Sequence, residues 1–168
     1  MNERKESTTS IILEYVKVIV LTVIVTFIFL QFVQISRVNG SSMENTYFQN
    51  NIVLIDKVFY KRSQPKKDDI IIVDYDDGLE DTLIIKRVIA VGGDHLDIKN
   101  NEVYINGKKL KENYIKEKMN TEDISIDIPK GKVFVMGDNR NHSLDSRKLG
   151  YFDFDDDVIG KVFFKIPL

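Results

Sequence analysis

The stretch Val18–Ile35 reads VIVLTVIVTFIFLQFVQI, which is 18 residues without a charged side chain. At about 1.5 Å per residue, a helix of this length spans roughly 27 Å, close to the thickness of the hydrocarbon core of a bilayer. We therefore predict a transmembrane helix over residues 18–35. Residues 1–17 then form a short segment on one side of the membrane, and residues 36–168 form a domain on the other side.

The positive charges around this span are distributed unevenly. Arg4, Lys5 and Lys17 precede it, whereas only Arg37 follows closely and the next cation is Lys57. Positive residues favour the cytoplasmic side of a membrane segment. The sequence thus predicts a single-pass protein of the cytoplasmic membrane with an inside N-terminus and an extracytoplasmic domain.

Two other interpretations of the span stay open at the level of sequence. It could be a secretory signal that is removed by a cut after Gly40, although the apolar core of such signals is shorter, about 7–15 residues. It could also be the buried core helix of a soluble protein. The chain has no second stretch of comparable hydrophobicity to cover such a helix.

The composition excludes several classes of protein. The 168 residues carry 24 Lys and Arg against 26 Asp and Glu, a formal charge of −2, so we expect no nucleic-acid partner. The absence of cysteine excludes disulfides, thiol nucleophiles and iron–sulfur clusters. His95 and His142 alone cannot form the usual zinc site. We expect neither a metal nor another cofactor.

After the span, the sequence changes to short runs rich in Ile, Val and Phe, which are typical of strands. The turn residues Asn106 and Gly107 lie between two extended runs and predict a hairpin. We predict a mainly β, antiparallel and barrel-like domain. Lys111–Thr121 could be a short helix or a loop. The expected strands are Ile52–Phe59, Ile70–Tyr75, Leu83–Val91, His95–Ile98, Glu102–Ile105, Ile124–Ile128, Val133–Met136 and Val158–Ile166.

Three groups of residues in this domain could carry chemistry, and the first two lie after the span and on an apolar strand. Val38–Met43 is a short Gly- and Ser-containing stretch after the span, which could equally be a flexible linker. The pair Lys86 and Arg87 interrupts an apolar strand, so alternation places one basic side chain on each face. At least one of them should be partly buried, which would lower the pKa of a lysine. The alternative is an edge-strand lysine that discourages aggregation.

The third group is the loop Gly137–Arg147, with the sequence GDNRNHSLDSR. Nine of its eleven side chains are polar or charged, which is far more than a turn requires, although a solvated loop is the simpler interpretation. Asp145 and Arg147 are spaced to pair on one face of an extended segment, and Ser143 precedes them on that face. This spacing predicts a hydrogen-bonded scaffold.

Together these groups resemble the bacterial type I signal peptidases, membrane-anchored serine proteases that remove signal peptides from exported preproteins. The resemblance covers nearly the whole chain. It consists of the N-terminal anchor, Gly40-Ser41-Ser42-Met43, Lys86-Arg87 followed by a Gly-Asp turn, and the loop Gly137–Arg147, in the order of the family.

The resemblance implies a Ser42 nucleophile and a Lys86 general base. It also implies that Ser143 hydrogen-bonds the lysine amine, that Asp145 and Arg147 hold the loop against the sheet, and that Asp138 shares this scaffold. The Ser42 amide would donate to the oxyanion.

The implied substrates are signal-peptide-bearing preproteins, which reach the enzyme at the lipid bilayer and bind as an added strand with small residues before the cleaved bond. Val38 and Ile85 are the expected pocket residues. Residues 94–129 would form the smaller and variable lobe of the family.

Three residues depart from the family pattern. Asn45 and Gly92 stand where proline is common, and Asp68 stands where glycine is usual. All three lie in turns, so we expect them to affect the rigidity of loops. Two rival interpretations are a different Ser-Lys protease, such as a self-cleaving repressor, and a catalytically silent homologue that acts as a membrane-bound partner or scaffold. A repressor needs a DNA-binding domain where this chain has its apolar span.

Overall fold

The structure is a computed structural model that describes residues 8–76 and 81–166. It begins with helix α1, Thr8–Phe32, whose apolar side chains are exposed around its whole circumference. None of the span Thr9–Phe32 is buried against the rest of the molecule. The alternative of a buried core helix is therefore wrong. At about 1.5 Å per residue, α1 is roughly 37 Å long, enough to cross a bilayer and extend into the headgroups.

The bounds of this helix differ at both ends from the membrane span predicted over residues 18–35. The helix begins ten residues earlier, at Thr8, and ends at Phe32. Strand β1, Val33–Arg37, follows without a linker and pairs antiparallel with the next strand. β-branched residues such as Ile35 suit a strand as well as a membrane helix, so hydropathy could not locate the change.

The larger of two antiparallel sheets has seven strands in the order β1-β2-β11-β3-β4-β9-β10. No pairing among the described residues joins β1 to β10, so this is an open sheet in place of the barrel-like closure that we expected. The two-residue strand β10 was not predicted because it is too short to show a period. Besides β1, its strands are β2 (Ile52–Asp56), β3 (Ile70–Asp76), β4 (Asp81–Val91), β9 (Lys132–Met136), β10 (Phe152–Asp153) and β11 (Val158–Ile166).

The smaller sheet has the order β7-β6-β5-β8 and lies between β4 and β9 in the chain. The expected hairpin is confirmed: Asn106 and Gly107 both have positive φ, 51° and 75°, at the turn between β6 and β7. Residues 111–121 form a loop and not a helix. The strands are β5 (His95–Lys99), β6 (Glu102–Ile105), β7 (Lys108–Lys109) and β8 (Ile124–Asp127).

Three groups of buried side chains form the core. One lies under the small sheet and includes Leu96 and Phe134, a second includes Val73 and Val135, and the third surrounds Val53. The third cluster also contains Val38 and Met43, on either side of the predicted nucleophile. The stretch after the membrane span is thus part of the core and not a flexible linker.

Candidate active site

Lys86 and Arg87 lie on the central strand β4, which pairs with β3 on one side and β9 on the other. Both side chains are buried: 3% of Lys86 and 7% of Arg87 is exposed. The prediction that at least one would be partly buried is confirmed. The edge-strand alternative is wrong, because strands flank β4 on both sides.

Ser42 lies directly opposite this lysine. Lys86 Nζ is 2.9 Å from Ser42 Oγ and also donates to the backbone carbonyl of Ile85 at 2.9 Å. Ser42 is placed by a helical turn over residues 41–47, in which the Tyr47 amide donates to the Met43 carbonyl. Because the Met43 side chain is 1% exposed, the turn is fixed to the core one residue after the hydroxyl.

Burial is the main electrostatic influence on the lysine. It lowers the pKa of Lys86 from 10.5 to about 8, and the nearby Asp145 carboxylate opposes this shift. About a tenth of the Lys86 amines is therefore neutral at pH 7 and about half at pH 8. A neutral amine within hydrogen-bond distance of a serine hydroxyl can accept its proton.

The loop Gly137–Arg147 contains the predicted pairing of Asp145 with Arg147. The Arg147 guanidinium donates twice to this carboxylate, at 2.8 Å each, and also to the carbonyl of Arg140 at 2.6 Å. Asp145 also accepts from the Gly137 amide at 3.0 Å. Burial alone would raise the pKa of the Asp145 carboxyl, but Arg147 and the Gly137 amide hold that pKa below its usual range. Asp145 therefore ties the loop to the end of β9.

Asp138 belongs to a different network from the one we expected. Its carboxylate is fully buried and accepts two hydrogen bonds from Arg87, at 2.8 and 2.7 Å. It also accepts from the Thr46 hydroxyl. Asp138 thus joins the strand that carries Lys86 to the turn that carries Ser42, whereas Asp145 and Arg147 stabilise the loop itself.

Ser143 differs from the expectation in its hydrogen bonding. Its buried hydroxyl makes no hydrogen bond to Lys86, which donates to Ser42 and Ile85, and it helps instead to lower the pKa of the Asp145 carboxyl. Ser143 nevertheless packs close to the nucleophile. A Cβ on Gly137 would lie 2.3 Å from Ser143 Oγ and 2.5 Å from the Ser42 carbonyl oxygen, so only glycine fits between them.

Two asparagines that we did not predict hold the serine turn in place. Asn139 donates from its backbone to the Ser42 carbonyl at 2.9 Å and from its side chain to the Ser41 carbonyl at 3.0 Å. Asn45 Nδ2 donates to the Tyr114 carbonyl at 3.0 Å. These contacts join loops that are far apart in the sequence. Such contacts produce no periodic pattern in the sequence from which they could be predicted.

A further unpredicted contact comes from the 111–121 loop. The Arg87 guanidinium lies over the Tyr114 ring, 3.9 Å from its centroid. Lys116 forms an ion pair with Glu44 at 2.5 Å, and its amide donates to the Asp138 carbonyl at 2.9 Å. The loop therefore packs against both the serine turn and the arginine that neighbours Lys86.

The predicted pocket residues Val38 and Ile85 line one small cleft of about 150 Å³. Ser36–Asn39 forms one wall, Leu83 and Ile85 form another, and Val53 and Ile72 lie at its base. The cleft is adjacent to the reactive pair, because the carbonyl of Ile85 accepts from Lys86. Its size and apolar base suit small side chains.

The three departures have local explanations. Asn45 and Asp68 have positive φ, 95° and 71°, a region that proline cannot adopt and that Asn and Asp tolerate. A Cβ on Gly92 would lie 2.9 Å from the Pro129 carbonyl oxygen and from Lys130 Cα, so a side chain there would require movement. No group of three or more His, Asp or Glu side chains within residues 8–76 and 81–166 is arranged to hold a metal ion.

Comparison with known proteins gives consistent results. The sequence model of the family described as "Signal peptidase, peptidase S26" matches residues 12–166. Signal peptidase I P of Bacillus subtilis subsp. natto is 32% identical over 95% of this chain and 91% of its own length. Signal peptidase IB of Staphylococcus aureus (strain COL) is 32% identical over 92% and 88%, respectively. The crystal structure of a signal peptidase I from Enterococcus faecalis V583 superposes with a TM-score of 0.51 and 28% identity, over 60% of this chain and 98% of that one.

Proposed function

This chain belongs to the signal peptidase family, peptidase S26, and we propose that it cleaves signal peptides from exported preproteins. Its signal peptidase I relatives are serine peptidases. In this chain, Ser42 is the nucleophile and Lys86 is the general base. The observation that carries this proposal is the 2.9 Å contact between Lys86 Nζ and Ser42 Oγ on a buried strand. The pKa of about 8 supports it, because the base must be neutral to act.

The reaction begins when neutral Lys86 accepts the Ser42 proton while Oγ forms a bond to the carbonyl carbon of the substrate. The Ser42 amide has no acceptor among the described residues and can donate to the oxyanion that develops. The Lys86 ammonium then gives its proton to the leaving amine, which departs as the new N-terminus of the mature protein. Water, deprotonated by Lys86, hydrolyses the acyl-enzyme and restores Ser42.

The residues before the cleaved bond bind, in this proposal, in the cleft between Ser36–Asn39 and Leu83–Ile85. The backbone on both sides of this cleft is extended, which suits a substrate that adds as a strand. Val38 and Ile85 line the walls above the base formed by Val53 and Ile72, so that only small side chains fit. This arrangement accounts for selection of small residues at the end of a signal peptide.

Membrane placement follows from the direct continuation of α1 into β1. Phe32, the last helical residue, stacks on Phe59 with ring centroids 5.5 Å apart, and its carbonyl accepts from the Lys57 amide at 3.2 Å. The edge of the large sheet therefore lies at the end of the anchor. We propose that exposed Phe59 and Phe163 contact lipid there and that the reactive pair lies close to the outer surface.

The helix Thr8–Phe32 is a membrane anchor, and a signal that is cut off after Gly40 is incompatible with the fold. Such a cut would remove β1 and buried Val38, which belong to the sheet and the core. The positive residues before the span support an inside N-terminus. Protease added to sealed cells should digest the catalytic domain, whereas protease added to inside-out vesicles should leave it intact, and the reverse pattern would contradict this topology.

Cleavage of a signal-bearing preprotein by the purified full-length chain tests the proposed reaction. Ser42→Ala should abolish cleavage because it removes the attacking oxygen. Ser41→Ala is the matched control, since this neighbouring serine is exposed and its hydroxyl makes no hydrogen bond among the described residues. Processing by the Ser42 variant, or loss only in the Ser41 variant, would refute the assignment. A catalytically silent homologue would be inactive without any substitution.

A further inference from the structure

A cavity of about 640 Å³ is lined in part by Ser143, the serine that packs near the Ser42 carbonyl, and the proposed reaction leaves this cavity without a role. Its walls come from the end of the 111–121 loop and the segment that leads into β8 on one side, and from the loop after β9 on the other. Its volume falls within the range of about 300–1,000 Å³ that is usual for ligand sites. The residues that matter for its chemistry are Asn120, Thr121, Glu122, Ser143, Arg147 and Lys148.

The cavity and the small cleft share no lining residue, and each adjoins a different part of the reactive site. Ile85 lines the cleft and accepts from Lys86, whereas Ser143 lines the cavity and packs with Gly137 against the Ser42 carbonyl. A peptide chain bound across Ser42 can therefore reach both sites. Because the cleft takes the residues before the cleaved bond, the cavity is placed to take those after it.

The cleft and the cavity differ in the polarity of their side chains, and the two parts of a preprotein differ in polarity in the same way. The cleft is lined by the buried apolar side chains of Val38 and Ile85, but Ile124 is the single aliphatic side chain that lines the cavity. The end of a signal peptide is small and apolar, and the start of a mature exported protein is generally polar. The polar and charged side chains that line the cavity thus match the second part.

Two charged groups in the cavity are free to contact a ligand. The Glu122 carboxylate and the Lys148 ammonium make no ion pair or hydrogen bond with the described residues. Arg147 and Arg140, by contrast, are neutralised by Asp145 and Glu112. The charge selectivity of the site should therefore depend on the first two groups.

We propose that this cavity is the binding site for the first residues of the mature protein, with Glu122 and Lys148 selecting charged side chains there. This inference rests on the proposed function, because it needs a substrate bound across Ser42. It adds a second recognition site on the leaving side of the bond. In this view Lys148 attracts acidic residues and Glu122 attracts basic residues shortly after the cleavage point.

Charge exchange tests the proposal with two peptides that are identical up to the cleaved bond. One carries two glutamates among the first four residues after the bond, and the other carries two lysines. Lys148→Glu should lower kcat/KM for the glutamate peptide about two- to fivefold and raise it for the lysine peptide, the effect of a partly exposed ion pair. Glu122→Lys should change the two rates in the opposite directions.

The matched control is Lys130→Glu, which makes the same charge change at a turn beside a different cavity. It should leave the ratio of the two rates unchanged. A peptide that ends one residue after the bond should respond equally to all three variants. A loss of folded protein would lower the cleavage rates of both peptides alike. An inverted preference between the two peptides therefore reports a change in binding.

The proposal is overturned if Lys148→Glu and Glu122→Lys keep the wild-type preference, or if Lys130→Glu shifts it as far. Failure of the proposed reaction would look different. In that case the wild-type chain would cleave neither peptide, or cleavage would persist in Ser42→Ala.

Discussion

Replacement of Lys86 by methionine should make the protein more stable at neutral pH, although it removes the proposed base. The folded protein binds the Lys86 proton with a pKa of about 8, against 10.5 for the ordinary amine. This difference corresponds to about 3 kcal/mol of free energy of unfolding, at about 1.4 kcal/mol per pH unit. Methionine has a similar length and no charge to desolvate.

Part of this gain in the free energy of unfolding is lost, because the methionine cannot form the hydrogen bonds of the Lys86 amine. The Ile85 carbonyl loses a donor, which costs about 1 kcal/mol, whereas the half-buried Ser42 hydroxyl can turn to water. The net gain is then about 2 kcal/mol. For a domain of this size it raises the Tm by about 4–8 °C.

The pH dependence gives the sign of the effect. Between pH 8 and pH 10.5 the unfolded state binds more protons at Lys86 than the folded state, so the wild-type stability should rise with pH in this window. The advantage of Lys86→Met should be fully present below pH 8 and should disappear towards pH 10.5. Other titrating groups are common to both proteins and cancel in the difference.

The assay is thermal unfolding of the detergent-solubilised full chain at pH 7 and pH 10. Lys130→Met is the matched control because Lys130 is exposed, and its Tm should stay close to wild type at both pH values. The reasoning is refuted if Lys86→Met melts at or below the wild-type temperature at pH 7. It is also refuted if its advantage is the same at pH 10.

Further variants test the parts that support the reactive pair. Asp145→Ala and Arg147→Ala should each lower the Tm and the cleavage rate, because each leaves a buried partner unpaired at a cost of about 3–5 kcal/mol. Two variants that melt like the wild type and keep full activity would contradict this. Gly137→Ala should lower kcat more than it raises KM, because the Cβ of the new alanine would displace the Ser42 carbonyl. An unchanged kcat for preprotein cleavage would exclude that displacement. Asn45→Pro should destabilise the turn because proline cannot adopt a φ of 95°, and circular dichroism melting against an Asn45→Gly control measures this.

Features that repeat along the chain could be predicted from the sequence. The eight expected strands are all present, and alternation along β4 indicated that one basic side chain would enter each apolar face. The pairing of Asp145 with Arg147 was also predicted, although for an extended segment, whereas Asp145 caps the short helix Ser146–Leu149 that contains Arg147. These predictions succeeded because each depends on neighbours within a few positions.

Contacts between distant loops could not be predicted in the same way. Asn45 donates to a carbonyl 69 positions away, and Asn139 holds a turn 98 positions away. Asp138 was expected beside Asp145, but its partner is Arg87, 51 positions earlier. Polar loop residues carry no period, so their partners are set by the fold as a whole.

The measurement that tests the central claim most directly is the rate at which Lys86→Arg cleaves a signal-bearing preprotein. Arginine keeps the positive charge and the approximate length, but its guanidinium stays protonated and cannot accept the Ser42 proton. If Lys86 is the general base, this variant should be as inactive as Lys86→Met, while the wild-type rate rises with pH through an apparent pKa near 8. Cleavage by Lys86→Arg at close to the wild-type rate would show that positive charge suffices, and the assignment of a serine–lysine pair would be wrong.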